Sequence, residues 1–391
     1  MKIYGADADT IKNEILSLRE KLVTAKTVAE EQLCISDIEL LNVLYNCLTH
    51  NNVEGFNKIF KNNRGKLINC SNFYNKLNDT YNNKVIANKN FINYLSSRSL
   101  NVYAKELYKY IDKDIIEEEI FNEDDASIIL HSFFRKYHPK DVDFVDEIIL
   151  NKRVLRTDIL DKYCGLCFYV YKSLPFLVVE NPRYSVKTIK SLIHELGHAI
   201  DFKNMNDNFS VNKIEKYLEI SPYIEVNSRL YEKEALEFFI DEDINKDYAV
   251  TLLADYHYTN YSYLLDSYFF TLLPDYLLEK NKYYNYSMDE LKLFIPFDKY
   301  NSDIFDTIGD EKINLSDSFN YGIGGLIATI LSSKIKEDKD SGNVLYNKFM
   351  SNRMDSFRPS IFDELGIDYK EASKCLKKEI NYLVKNSFPN S

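Results

Sequence analysis

The stretch IKSLIHELGHAID, from Ile189 to Asp201, constrains this chain more than any other. Ile189, Leu192, Ile193, Leu196 and Ile200 recur at helical spacing, which predicts a buried amphipathic helix. Ser185 follows Asn181-Pro182 and is placed to cap its start. Into this apolar helix the sequence puts His194, Glu195 and His198, although histidine is scarce, six in 391 residues. Residues i and i+4 stack on one helix face, so both imidazoles can reach one point. Gly197 costs about 1 kcal/mol relative to alanine in a helix interior. Two histidines sharing a helix by chance leave that glycine unexplained. Close approach of another group to the backbone explains it.

Two converging imidazoles are half of a metal site. Zinc takes nitrogen and oxygen ligands and keeps a position open for water, whose pKa it lowers toward about 7. Glu195 lies about 100° around the helix from His194, where it can act as general base rather than ligand. A third ligand is needed, and Asp201, Glu215, Glu219, Glu225, Glu232 and Glu234 are the downstream candidates. Asp201 is three residues past His198, better placed to orient a ligand than to bind. In SPYIEVNSRLYEKEALEFF the apolar pattern from Tyr223 to Phe239 is helical, and Pro222 suits its start. Glu225 and Glu232 are seven apart and share a face. Glu225 on the metal, with Glu232 holding a histidine, is a sensible division of labour. The expected cofactor is one Zn2+ per chain.

Composition narrows the partners. The net charge of −11 argues against nucleic acid, whose phosphates need a basic patch. The start, MKIYGADADTIKNEIL, lacks the apolar run of a secretory signal, and no apolar stretch approaches the roughly 18–20 residues that span a bilayer. A cytoplasmic protein with no membrane partner is the expectation. The six cysteines are scattered and form no small disulfide framework. Cys164-Gly165-Leu166-Cys167 is a lone CxxC, read as two ordinary thiols entering a strand rather than a redox pair or half a zinc knuckle.

The fold class expected is mainly α, with a small sheet next to the motif helix. Residues 8–60 read as helical hairpins, with Ile11, Ile15, Leu18 and Leu22 at helical spacing. Ser36 and Glu39 read as a capping box. Further helices follow over 70–150, with loops expected at DKD, NEDDA and HPKD. YCGLCFYVYKSLPFLVVENP is aromatic and β-branched and predicts a hairpin, Phe168–Tyr171 with Phe176–Val179. From about 215 the chain returns to helices, with breaks at FIDEDINKD, EKNKYYNYSMDE, PFDKYNSD and DSGN.

This combination resembles the M3 family of zinc oligopeptidases, the thimet oligopeptidase and oligopeptidase F group. YCGLCFYV and PFLVVEN stand where the family has two strands, and SVKTIKSLIHELGHAID looks like its active-site helix. YIEVNSRLYE is similar to its third-ligand segment and keeps its glutamate spacing of seven. The resemblance implies a helical zincin-type metallopeptidase in which His194, His198 and Glu225 bind zinc and Glu195 is the catalytic base. DSFNYGIGGLIATILSSKI resembles the stretch with the family's transition-state tyrosines, which implies Tyr321 as a hydrogen-bond donor to the oxyanion. Gly322, Gly324 and Gly325 would then suit a loop closing over substrate. The chain departs from the family at Asp201, where a histidine is usual. It also departs at Asn227-Ser228 and in having no histidine after His257. The segment before the motif is short, so residues 1–150 are expected to form a reduced wall of the cleft, with 151–391 as the zinc-binding region.

The expected reaction is hydrolysis of oligopeptides. Glu195 and Tyr321 would be catalytic, Glu232 and Asp201 would orient ligands, and Phe176, Val178, His257 and Gly324 would contact peptide. Pairing of an extended peptide along the strand near Phe176–Val179 is the expected mode. A protease dedicated to one protein or maturation peptide is the second reading. A helical binding protein with a structural or relict zinc site is the third, and the intact Glu195 argues against it.

Overall fold

The structure is a computed structural model and describes residues 7–50, 106–111, 121–157, 165–180, 184–214, 223–267, 314–353 and 369–387. The chain is mainly α-helical with a small sheet. It forms two compact units. The first comprises Met1–Leu67, Ile115–Glu219 and Asn227–Ala249, and the second Ile68–Asp114, Ile220–Val226 and Val250–Ser391. Residues from 1–150 contribute to both. Among the described residues no helix is long and apolar enough to cross a membrane.

The first unit is layered around its sheet. Strands β1 (Val154–Thr157), β2 (Gly165–Phe168) and β3 (Phe176–Glu180) lie in the order β1-β3-β2. β1 runs parallel to β3, and β2 antiparallel with Cys167 opposite Leu177. A central strand is covered on both faces and reads as a continuous apolar run; FLVV is that run. Phe176 and Val178 join Leu155, Phe168 and Val170 in a core against Ile11, Ile15, Leu18, Leu41 and Leu44. Those last five come from α1 (Ala8–Val23) and α2 (Val28–His50). The period of two sends Leu177 and Val179 to the opposite face, where α5 (Val186–Asn208) packs on β2 and β3.

The hairpin is present, but its first strand starts three residues before the expected Phe168. Tyr169 to Tyr171 lead into the turn instead, which Lys172 makes with φ 50°. Ser36 does not start a helix. α2 runs through it, and the break falls at Thr24–Thr27, where the Thr24 N–H donates to Leu22 and Lys21. NEDDA is not a loop either. Asn122 caps α3 (Glu123–Tyr137), and Glu123, Asp124 and Asp125 fill its first turn, where the helix dipole favours acids. HPKD does break the chain before α4 (Val142–Leu150).

In the second unit α7 (Lys246–Ser267), α8 (Asn314–Glu337), α9 (Lys339–Asn352) and α10 (Tyr369–Asn386) are described, α7 beginning four residues inside the first unit. DSGN lies inside α9, and the break falls at Asp338, its cap. Gly342 is there for packing, since a Cβ would run into the Ile335 backbone of α8. Residues 51–60 of the expected hairpins and the expected breaks DKD, EKNKYYNYSMDE and PFDKYNSD lie outside the described residues.

Candidate metal centre

Ser185 starts the helix that carries the motif. Its Oγ accepts from the Thr188 N–H at 3.3 Å, and Thr188 Oγ1 accepts from the Ser185 N–H at 2.7 Å, a reciprocal capping box. α5 then runs unbroken to Asn208 and buries His194, Glu195, His198 and Asp201. The two imidazole rings stand 5.0 Å apart between centroids, 77° from coplanar.

Gly197 lets a second helix, α6 (Glu225–Asp241), cross at this point. A Cβ on Gly197 would lie 2.8 Å from the Ser228 Cα and 3.3 Å from the Asn227 O. The Asn227 side chain donates to the Gly197 carbonyl at 2.8 Å. The Asn227-Ser228 step is therefore the contact that docks α6 on α5. Glu225 opens α6, two residues before that contact. Its carboxylate and the ring nitrogens of His194 and His198 offer ligand atoms within 4.8 Å of one another. Ligands about 2 Å from one ion stand at most about 4 Å apart, so small side-chain adjustments would close this set. Two imidazoles and one carboxylate are a donor set that suits zinc.

Glu232 lies two turns further along α6. It accepts from His194 Nδ1 at 3.0 Å, from Lys190 Nζ at 2.7 Å and from the Arg229 guanidinium at 2.5 Å. Burial alone would raise its pKa. The Arg229 and Lys190 cations and the His194 bond outweigh burial and hold the carboxyl well below the usual range. With Nδ1 engaged, Nε2 is the nitrogen that remains to His194 for a metal.

Glu195 faces β2. Leu166 and Phe168 turn to the α1–α2 side of the sheet, so Gly165 and Cys167 turn to α5. A Cβ on Gly165 would meet Glu195 Oε1 at 2.7 Å and its Cγ at 2.8 Å. The glycine makes room for the carboxylate. Burial pushes the Cys167 thiol well above its ordinary range, and Glu195 and Asp201 add to the rise. A thiol held protonated is a poor nucleophile, which suits the reading of Cys167 as an ordinary thiol. Cys164 lies outside the described residues, as do Glu215, Glu219 and Pro222.

The peptide-contact residues are placed differently from expectation. β3 is paired on both sides, by β1 and by β2, so no peptide can add along it. Phe176 and Val178 are core residues, fully buried against α1 and α2. His257 is buried in the second unit, its Nε2 3.5 Å from Glu379 of α10. Tyr321, Gly322, Gly324 and Gly325 lie inside helix α8 rather than on a loop. Gly324 packs against Glu225, where a Cβ would come 2.7 Å from the glutamate's Cβ. The Tyr321 ring is edge-on to Tyr263, 6.3 Å between centroids. Glu234 takes no part in the metal group: it accepts from His138 Nε2 at 2.6 Å, and His138 stacks on Tyr231 at 3.8 Å.

The fold is shared with a solved structure. A candidate peptidase from Chlamydophila abortus matches with a TM-score of 0.56 at 14% identity, over 88% of this chain and 64% of that one. A candidate oligoendopeptidase F from Bacillus anthracis str. Ames gives 0.43 at 12% identity, over 97% and 96% of the two chains. PZ peptidase A with an inhibitor gives 0.45 at 10%, over 98% of each. No family model matches the sequence, and no curated protein matches it. The first likeness establishes the helical fold. This chain spans about two thirds of that neighbour's length, 64%.

Proposed function

We propose that this chain is a zinc metallopeptidase that hydrolyses peptide bonds in oligopeptides. The convergence of His194, His198 and Glu225 beside Glu195 carries the reading. His194, His198 and Glu225 would hold the ion. Zinc, when bound, supplies the positive charge that acidifies a water and polarises a carbonyl. Glu195 would take a proton from the attacking water as its oxygen bonds to the scissile carbonyl carbon. It then returns the proton to the leaving nitrogen as the C–N bond breaks. The missing side chain at Gly165 leaves room for the carboxylate in this position. β2, the outer strand on this side of the sheet among the described residues, begins at Gly165 beside the base. Its outer edge is the place for an extended peptide to pair, in place of β3. The likeness in fold to a candidate peptidase supports the reaction class.

The test is cleavage of a quenched fluorescent oligopeptide library by zinc-loaded protein beside Glu195→Gln. Loss of a general base is expected to lower kcat by about 10²–10⁴-fold with zinc still bound. Equal rates in the two proteins would sink the mechanism. No cleavage by zinc-loaded wild type would move the reading to a dedicated substrate. Tyr321→Phe is the matching test of the oxyanion donor.

A further inference from the structure

Glu232 is held more firmly than the orienting of one histidine requires. Lys190 contacts Oε1 and Arg229 contacts Oε2, the same oxygen that accepts from His194. The carboxylate and the Arg229 side chain are buried, and the Lys190 side chain is 16% exposed. Lys190 stands one turn before His194 on α5, and Arg229 one turn before Glu232 on α6. The two helices that carry the metal donors thus each send a cation to one carboxylate. The arrangement serves geometry: a carboxylate held at one oxygen can swing about its terminal bond, whereas one held at both cannot.

We propose that Lys190 and Arg229 are positioning residues of the metal centre. They lock the Glu232 carboxylate across the α5–α6 crossing, and Glu232 in turn fixes the tautomer and ring plane of His194, leaving Nε2 as the ligand atom. The inference rests on the zinc reading of the site. It assigns work to two residues that the motif does not contain.

Zinc affinity, measured on the full chain by competition with a chromophoric chelator, tests it. The proteins are wild type, Lys190→Met, Lys190→Arg, Arg229→Lys and Lys136→Met. The last is a control in which the cation paired with Glu242 is removed. Each is also loaded with cobalt(II), whose visible spectrum reports ligand geometry. Lys190→Met is expected to bind zinc about 10–100-fold more weakly, the range for groups that orient a ligand, with a shifted cobalt spectrum. Lys190→Arg restores most of the affinity. Arg229→Lys keeps the charge but loses the planar fork, so it weakens binding by a smaller factor. If Lys190→Met does not fold, Arg229→Lys decides by the same two readouts. Wild-type affinity and spectrum in both would overturn the positioning role and leave the metallopeptidase reading standing. Failure of the wild type itself to take up zinc would overturn that reading, and this inference with it.

Discussion

Gly165 is where one residue's missing side chain bears most directly on the proposed chemistry. The atoms that a Cβ at this position would meet belong to the far end of Glu195, with Oε1 at 2.7 Å and Cδ at 3.0 Å. A flexible carboxylate can move away from an added methyl at little cost in stability. Alanine also loses less entropy than glycine on entering a strand. Gly165→Ala is therefore expected to fold as well as wild type. For the proposed mechanism the displacement of Glu195 is another matter, because a shift of about 1 Å in a general base costs on the order of 10²-fold in rate. The expected outcome is a kcat lowered about 10–100-fold with an unchanged melting temperature and unchanged zinc stoichiometry. Wild-type kcat would separate Glu195 from the reaction. Sequence alone exposes the motif residues because their chemistry is local to five positions of one helix. The clearance at Gly165 depends on which face of β2 meets α5, and CGLC does not state that.

At the scale of elements, the crossing of α5 and α6 decides whether the ligands meet. The contacts at Gly197 are with backbone, the Ser228 Cα at 2.8 Å and N at 3.2 Å, and backbone cannot step aside as a carboxylate can. Alanine at 197 gains about 1 kcal/mol of helix propensity, while overpacking costs about 1–3 kcal/mol. Overpacking against backbone should win, with Gly197→Ala less stable by up to about 2 kcal/mol and weaker in zinc binding, as chemical denaturation and chelator competition would register. A more stable variant with full zinc affinity would show that the helices can part without cost to the site. The same scale explains what the sequence disclosed. Capping at Ser185 uses residues three apart and is legible. Ser36–Glu39 has the same signature but lies where α2 already has its hydrogen bonds, so the motif is idle. β1 is four residues long, VLRT, and exists only through its pairing with β3. Lys190 and Arg229 resemble any solvated helix cation until Glu232 is seen between them. Phe176 and Val178 read as part of a strand open to edge pairing because nothing local reveals that β1 closes its other side.

The first unit as a whole depends on how α1 and α2 are fastened over the sheet, and one fastening is sensitive to pH. The turn between β2 and β3 is tied to them by polar contacts. The Tyr171 N–H donates to Asp37 at 2.8 Å, the Tyr171 hydroxyl to Glu30 at 2.7 Å, and Lys21 Nζ to the Tyr171 and Lys172 carbonyls, each at 3.3 Å. Asp37 is buried, and burial pushes its carboxyl up to about 7. The Tyr171 N–H and Lys21 restrain the rise, and Glu14 adds to it. The folded state then binds this proton more tightly than the unfolded chain, where the value is near 3.8. Stability from this group is full below about 4, falls as pH rises toward 7, and is level above. The ionised carboxylate costs about 4 kcal/mol at most, three units at about 1.4 each. An asparagine in its place keeps an acceptor for the Tyr171 N–H and carries no charge. Asp37→Asn should therefore match wild type within about 1 kcal/mol at pH 4 and exceed it by about 1–3 kcal/mol at pH 8, measured by denaturant melts across that range. A pH-independent difference between the two proteins would mean that Asp37 ionises as freely in the folded unit as in water, and that the pH dependence of this unit lies elsewhere than in the Asp37 fastening.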